Sequence, residues 1–336
     1  MKIVVRAPNW IGDSLLSFPA IAALHETLPE AEIWITGHEW VKDIFSPIDY
    51  IKGIIPLKDL SSRRGLLKNA KILQESEFDV GLLLTNSFSS ALLFYLAKIP
   101  QRWGYNRDYR RFLLTKKVKI DDRSLRVHQA QYYINLLSNL DIPASSGSLI
   151  YELDPAVKRH ANDWLLSLGI TFQRPLVCMN PGAFYGPAKR WPASRFAELA
   201  SLLQERNQAD IIIVGSKDEF VLAQTIASHM EHPPIILSGK TTISQLAGVL
   251  HHATLFVSND SGPMHLANFL KVPTVGIFGP TDPRLTGPYL QPSSVVKKDI
   301  DCWPCRHREC PTDHRCMKDI SAEEVYRACT CKGFIL

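Results

Sequence analysis

At 336 residues the chain is too long for one ordinary hydrophobic core and suits two domains. Its 46% hydrophobic and 21% charged residues are the make-up of a soluble globular protein. A formal net charge of +5 gives no bulk reason to expect a nucleic-acid binder, and Met1-Lys2-Ile3-Val4-Val5-Arg6 enters a strand pattern without the apolar region of a signal peptide.

The first half alternates between the two periodicities. Strands are expected at residues 3–7, 33–36, 54–55 and 80–84 and near 103–104; helices are expected at 14–28, 41–45, 66–75, 88–96 and 127–140. The uncharged run 80–97 approaches membrane-spanning length, but Thr85-Asn86-Ser87 and Ser89-Ser90 interrupt it, so it reads as strand, polar turn and helix. Residues 143–148 read as a loop, and a connecting segment with its own helix, 155–168, leads into the second half.

There the alternation restarts. Strands are expected at 176–180, 211–214, 235–237, 253–257 and 274–278, with helices at 194–205, 219–230, 243–251 and 265–270. A last helix follows Ser321, which stands in capping-box spacing to Glu324. Alternation of this kind means parallel sheets covered on both faces. The fold class expected is α/β, two Rossmann-like domains with their parallel sheets facing across a cleft. Their bounds are 1–155 and 172–318, with the helix at about 320–336 packing back on the first domain.

Chemistry should gather where strands end in polar turns. The stretch Val257-Ser258-Asn259-Asp260-Ser261-Gly262-Pro263-Met264-His265 hands a buried strand over to a helix start, whose unpaired amides and dipole suit a phosphate. Gly279-Pro280-Thr281-Asp282-Pro283 makes a second polar turn on the same sheet edge. Asn180-Pro181-Gly182-Ala183-Phe184-Tyr185-Gly186-Pro187-Ala188-Lys189-Arg190 couples glycines, which let backbone approach a ligand, to positive charge. A lysine here can offset the charge of a departing diphosphate, although a solvated basic loop would look the same. Gly215-Ser216-Lys217-Asp218-Glu219 offers a carboxylate for a sugar hydroxyl or, equally, a helix cap. His265 reads either as a packed histidine or as a phosphate donor.

The first turn, Ala7-Pro8-Asn9-Trp10-Ile11-Gly12-Asp13, lacks the G-x-G-x-x-G of a dinucleotide site, which disfavours nicotinamide and flavin chemistry. Asp13 heads the first helix, either as a cap or as a general base that takes the proton of an acceptor hydroxyl. Cys302, Cys305, Cys310 and Cys316 form a compact cluster with His307 and His314 inside it. Three readings stay open: a structural metal, a disulfide, or free packed thiols. Cys178 falls in a strand and reads as core.

Ile11-Gly12-Asp13, Lys189-Arg190-Trp191-Pro192 and Ser258-Asn259-Asp260-Ser261-Gly262-Pro263-Met264-His265 together resemble the glycosyltransferase family 9 heptosyltransferases, in order and over nearly the whole chain. Within that family they resemble the type II ADP-heptose:lipopolysaccharide group. Phe184 and Tyr185 stand where type I enzymes carry paired threonines. The resemblance implies a GT-B fold and an inverting transfer of L-glycero-D-manno-heptose from ADP-heptose to the heptosyl-Kdo2-lipid A inner core. It implies Asp13 as catalytic base and Lys189 as the phosphate-contacting catalytic lysine. Gly182, Lys189, Glu219 (or Asp218), Asp260, Ser261, Gly262 and His265 then form the donor site. No cofactor is implied, and divalent-cation assistance stays open.

Arg63, Arg64, Arg107 and Arg110 are the acceptor-binding candidates. They belong to a basic tract with Lys68, Arg102, Arg111, Lys116, Lys117, Lys119, Arg123 and Arg126 that would meet acceptor carboxylates and phosphates, or anionic lipid. A cytoplasmic protein, peripheral on the inner face of the inner membrane, is the localisation this implies. The rivals are another GT-B enzyme, such as a type I or III heptosyltransferase or a sugar-nucleotide epimerase, and a non-enzymatic cysteine-cluster metal or redox module.

Overall fold

The structure is a computed structural model that describes residues 1–121, 125–143 and 151–335. The chain divides into two compact units, Met1–Glu152 and Leu153–Leu336.

The first unit is built on six strands: β1 (Lys2–Arg6), β2 (Glu32–Gly37), β3 (Ile51–Pro56), β4 (Val80–Leu83), β5 (Gln101–Tyr105) and β6 (Lys116–Val118). All pairings are parallel, in the order β3-β2-β1-β4-β5-β6. Strand β4 is buried throughout and β1 over all but its first residue, as expected of parallel strands with helices on both faces. The uncharged run 80–97 divides at its polar middle into β4 and the helix Phe88–Leu96. Among the described residues no helix is long and apolar enough to cross a membrane.

The second unit repeats the plan with β7 (Leu176–Asn180), β8 (Asp210–Ile213), β9 (Ile235–Ile236), β10 (Leu255–Asn259), β11 (Thr274–Phe278) and β12 (Ser293–Lys297). The order is β12-β11-β10-β7-β8-β9, again all parallel. The chain starts at the centre with β7, moves outward to β9, returns to β10 and continues the other way. The reversal between β7 and β10 leaves a crevice at their carboxyl ends, where ligands of such sheets sit. The first unit reverses in the same way between β1 and β4.

Two expectations are corrected. The helix expected over 14–28 is two helices, Ile11–Leu16 and Phe18–Thr27. Pro19, in the first turn of the second, has no N–H to offer and its ring would press on the carbonyl four residues back, so the ladder restarts at Ser17.

The C-terminal helix, Ala322–Thr330, belongs to the second unit rather than packing back on the first. Its capping box, Ser321 with Glu324, is formed as the spacing predicts. Its apolar face puts Val325 and Cys329 into one core with Trp191, Phe196, Leu203, Met317 and Ile320. Glu323 pairs with Arg206 at 3.1 Å and Glu324 with Lys298 at 2.6 Å.

Trp191 locks this tail in place: it is buried, and its indole N–H donates to the Ile320 carbonyl at 3.0 Å. Trp191→Phe keeps a ring but strands that carbonyl and leaves a gap. We expect a loss of about 2 kcal/mol, read as a lower urea midpoint at unchanged slope.

Candidate functional site

In the second unit the site lies at the carboxyl ends of β7 and β10. Asn259, the last residue of β10, ties the two loops together: its side-chain amide donates to the Pro181 carbonyl at 2.8 Å and its carbonyl oxygen accepts from the Trp191 amide at 3.1 Å. Those bonds fix both ends of the loop that carries Lys189. Lys189 Nζ lies 2.5 Å from Asp260 Oδ2. Both side chains are nearly enclosed, at 11% and 5% exposure, so water screens the pair poorly.

The Thr281 hydroxyl donates to the same carboxylate oxygen at 2.6 Å, and the Lys189 ammonium stands 4.7 Å from the centre of the Tyr185 ring. An ammonium has three N–H groups. With one engaged by Asp260, donors remain for an oxygen of a phosphate.

Next to this pair the helix Gly262–Phe269 begins without a side-chain cap. Ser261 stands at its N-cap position, but its hydroxyl is engaged by Ser258 Oγ at 2.9 Å. The helix start keeps its amide groups and its positive dipole end facing the crevice end of β10. His265 is buried within this helix.

On the other side of β7, Glu219 forms a capping box with Ser216 and accepts from the Ser216 amide at 2.7 Å. Its other oxygen lies against Gly182: a Cβ built there would sit 1.8 Å from Glu219 Oε1. The carboxylate can lean over the β7 loop only because residue 182 has no side chain. Asp218, the alternative at this turn, is exposed. Gly182→Ala must push the Glu219 carboxylate aside. If that carboxylate holds the donor, the variant raises donor KM about tenfold with a smaller change in kcat, measured at saturating acceptor.

Of the three readings open for the cysteine segment, its cysteines stand as free thiols. Among the described residues no group of three His, Cys, Asp or Glu side chains could hold a metal ion. Cys302 is exposed, whereas Cys316 is buried beside Met317 against Gly279; burial pushes its thiol up to about 11, and the nearby Cys310, Cys305 and Cys302 add to the effect.

What the segment does is brace the site loops. The Arg308 carbonyl accepts from the Ala188 amide at 3.0 Å, the Arg306 carbonyl from the Tyr185 hydroxyl at 2.7 Å, and His314 Nε2 is 2.8 Å from the Ala188 carbonyl. On the neighbouring loop, the Trp303 indole donates to the Thr281 carbonyl at 3.2 Å and the Arg306 amide to the Pro280 carbonyl at 2.9 Å. Residue 186 is glycine because a Cβ there would lie 2.4 Å from the Arg308 carbonyl oxygen.

In the first unit Asp13 is the third residue of the helix Ile11–Leu16, not its cap; Trp10 holds the N-cap position. The turn before it is held by Arg6 at the end of β1. This buried guanidinium donates to the Ala7 carbonyl at 2.5 Å and the Asn9 side chain at 2.7 Å, and burial lowers it to about 10. Burial raises the Tyr133 phenol well above its ordinary value, and the negative charge of Asp13 adds to the effect.

The acceptor candidates separate. Arg63 and Arg64 are exposed in the first turn of the helix Arg63–Glu75, and Arg107 is exposed. Arg110 is not available to an acceptor. It is fully buried, donating to the carbonyls of Tyr105 at 3.0 Å and Thr85 at 2.6 Å, so it caps sheet-edge carbonyls instead. Arg123 lies outside the described residues.

Sequence reasoning missed Arg6, Asn259, Thr281 and Tyr185 as parts of the site. Asn259, Thr281 and Tyr185 stood inside turns already singled out. Arg6 was visible as a charge closing an otherwise apolar strand.

Residues 66–315 match the family model described as glycosyltransferase family 9 (heptosyltransferase). A lipooligosaccharide heptosyltransferase 2 of Campylobacter jejuni is 32% identical over 97% of this chain and 96% of its own. A solved structure of Escherichia coli ADP-heptose lps heptosyltransferase II covers 98% of both chains with a TM-score of 0.85 at 26% identity. A family 9 glycosyltransferase of Veillonella parvula covers 98% of this chain and 96% of its own, with a TM-score of 0.86 at 26% identity. The fold class is GT-B, two Rossmann-like units each on a parallel sheet. With the family model spanning most of its length and a full-length relative above 30% identity, the chain belongs to glycosyltransferase family 9, the heptosyltransferases.

Proposed function

We propose that the protein transfers L-glycero-D-manno-heptose from ADP-heptose to the heptosyl-Kdo2-lipid A inner core of lipopolysaccharide, with inversion at the anomeric carbon. The second unit takes the donor and the first the acceptor. Asp13 accepts the proton of the acceptor hydroxyl as that oxygen attacks the anomeric carbon from the face opposite ADP. The bond from that carbon to the phosphate oxygen breaks, and ADP departs with its electron pair. Lys189 and the amides at the start of the helix Gly262–Phe269 offset the charge that grows on the diphosphate. Glu219 holds a hydroxyl of the donor nucleotide, while Arg63, Arg64 and Arg107 meet acceptor anions. The enzyme works in the cytoplasm against the inner face of the inner membrane.

The observation that carries the reading is the buried Lys189–Asp260–Thr281 cluster beside an uncapped helix start at the β7–β10 crevice. It is a preorganised place for a leaving diphosphate. Calorimetric titration with ADP-heptose, a UDP-sugar and a GDP-sugar tests it. ADP-heptose should bind at least about tenfold tighter than either rival. Equal affinity for all three, or preference for a uridine or guanosine donor, would overturn the donor assignment.

A further inference from the structure

We infer that the surface around Tyr109 and Phe112 in the first unit docks onto a membrane rich in anionic headgroups. The inference rests on the reading that the acceptor is anchored in lipid.

Large apolar side chains stand in the open here. Tyr109 is 94% exposed and Phe112 71%. Phe112 meets Phe88 at a ring separation of 6.0 Å, and Phe88 opens the helix Phe88–Leu96, which contains no charged residue. Phe88, half-buried Leu92 and exposed Tyr95 follow at helical spacing on its outer side, where a water-facing helix would carry charges.

The charge around this cluster is mostly positive, with Arg107 paired to Asp108 at 3.8 Å. Residues 101–119 hold seven Lys or Arg and a single acid, Asp108. Arg110 and Arg102 turn inward onto backbone carbonyls, but Arg107, Arg111, Lys116, Lys117 and Lys119 are all exposed. Protruding aromatics ringed by exposed cations in excess of acids are the chemistry of a bilayer interface. The rings enter the headgroup layer, and the cations gain about 1 kcal/mol each near an anionic surface. The patch follows the ends of β4 and β5, at the carboxyl edge of the sheet that also bears Asp13 after β1. A membrane held there would present its lipid-borne sugars to the edge that carries the proposed base.

Flotation of the full chain with phosphatidylglycerol vesicles and with phosphatidylcholine vesicles tests the proposal. The wild type should float with the anionic vesicles only, and less as salt rises. The double variant Tyr109→Ser with Phe112→Ser should lose at least about tenfold in vesicle affinity. Arg111→Gln with Lys117→Gln should lose roughly thirtyfold. Turnover on a water-soluble acceptor should match the wild type for the Tyr109/Phe112 variant, which also shows that it folds.

Failure of the wild type to float, or equal flotation of the aromatic variant, would overturn the proposal. So would concentration-dependent self-association that vanishes in that variant while vesicles stay unbound, because the patch would then be an interface between copies. Flotation as expected without heptose transfer to the soluble acceptor would sink the activity and leave the docking surface standing.

Discussion

Lys189→Met is expected to lower transfer about a hundred- to a thousandfold and to destabilise the second unit by about 3 kcal/mol. The two losses have different origins. Stability falls because Asp260, buried at 5% exposure, keeps among the described residues only the Thr281 hydroxyl as a side-chain partner once the ammonium is gone. An enclosed carboxylate without its cation is costly, whereas the intact pair is close to neutral against an apolar replacement. Activity falls because the departing diphosphate loses the charge that meets it.

The double variant Lys189→Met with Asp260→Asn separates these effects. Removing both charges should restore much of the unfolding free energy, measured by urea denaturation, while kcat stays low. If the double variant recovered turnover along with stability, Lys189 would be a structural partner of Asp260 and nothing more.

Asp13→Asn should leave stability almost unchanged and lower kcat about a hundred- to ten-thousandfold, the range a general base contributes. The amide keeps the shape at this position in the helix Ile11–Leu16 but cannot take a proton. Donor affinity, measured by calorimetry, should match the wild type, because the proposed donor contacts belong to the second unit. Loss of donor affinity in Asp13→Asn, or wild-type turnover, would remove the base from the mechanism.

Much of this molecule was legible before its fold was known, for reasons that differ by element. The strand Thr274–Phe278 and the helix Ile243–His251 fall on the expected residues. The strand is a continuous apolar run closed by a polar turn. The helix starts at a capping box, Thr242 with Gln245. The edge strands β6 and β12 went unseen. Lys116-Lys117-Val118 and Ser293-Ser294-Val295-Val296-Lys297 pair on one side only and need no apolar run.

Helix starts were harder: the first helix opens at Ile11, three residues before the apolar spacing begins, which moves Asp13 from the cap to the third residue of the first turn. Among site residues, Asp260 and Lys189 could each be picked from their turns. Their pairing spans 71 positions and leaves no local pattern. Arg110 shows the opposite failure. Within a run of basic residues nothing marks the one that turns inward, since carbonyl partners at Thr85 and Tyr105 come from the ends of β4 and β5. The cysteine spacing left metal, disulfide and free thiols open, and no local pattern showed that this segment braces the loops of Tyr185, Ala188 and Thr281.

The most direct measurement is the mass of a defined truncated inner-core acceptor after incubation with ADP-heptose and the protein. The account predicts a gain of one heptosyl residue with the wild type, and none within the same time with Asp13→Asn bound to the same donor. An acceptor left unchanged by the wild type, or extended equally fast by Asp13→Asn, would contradict it.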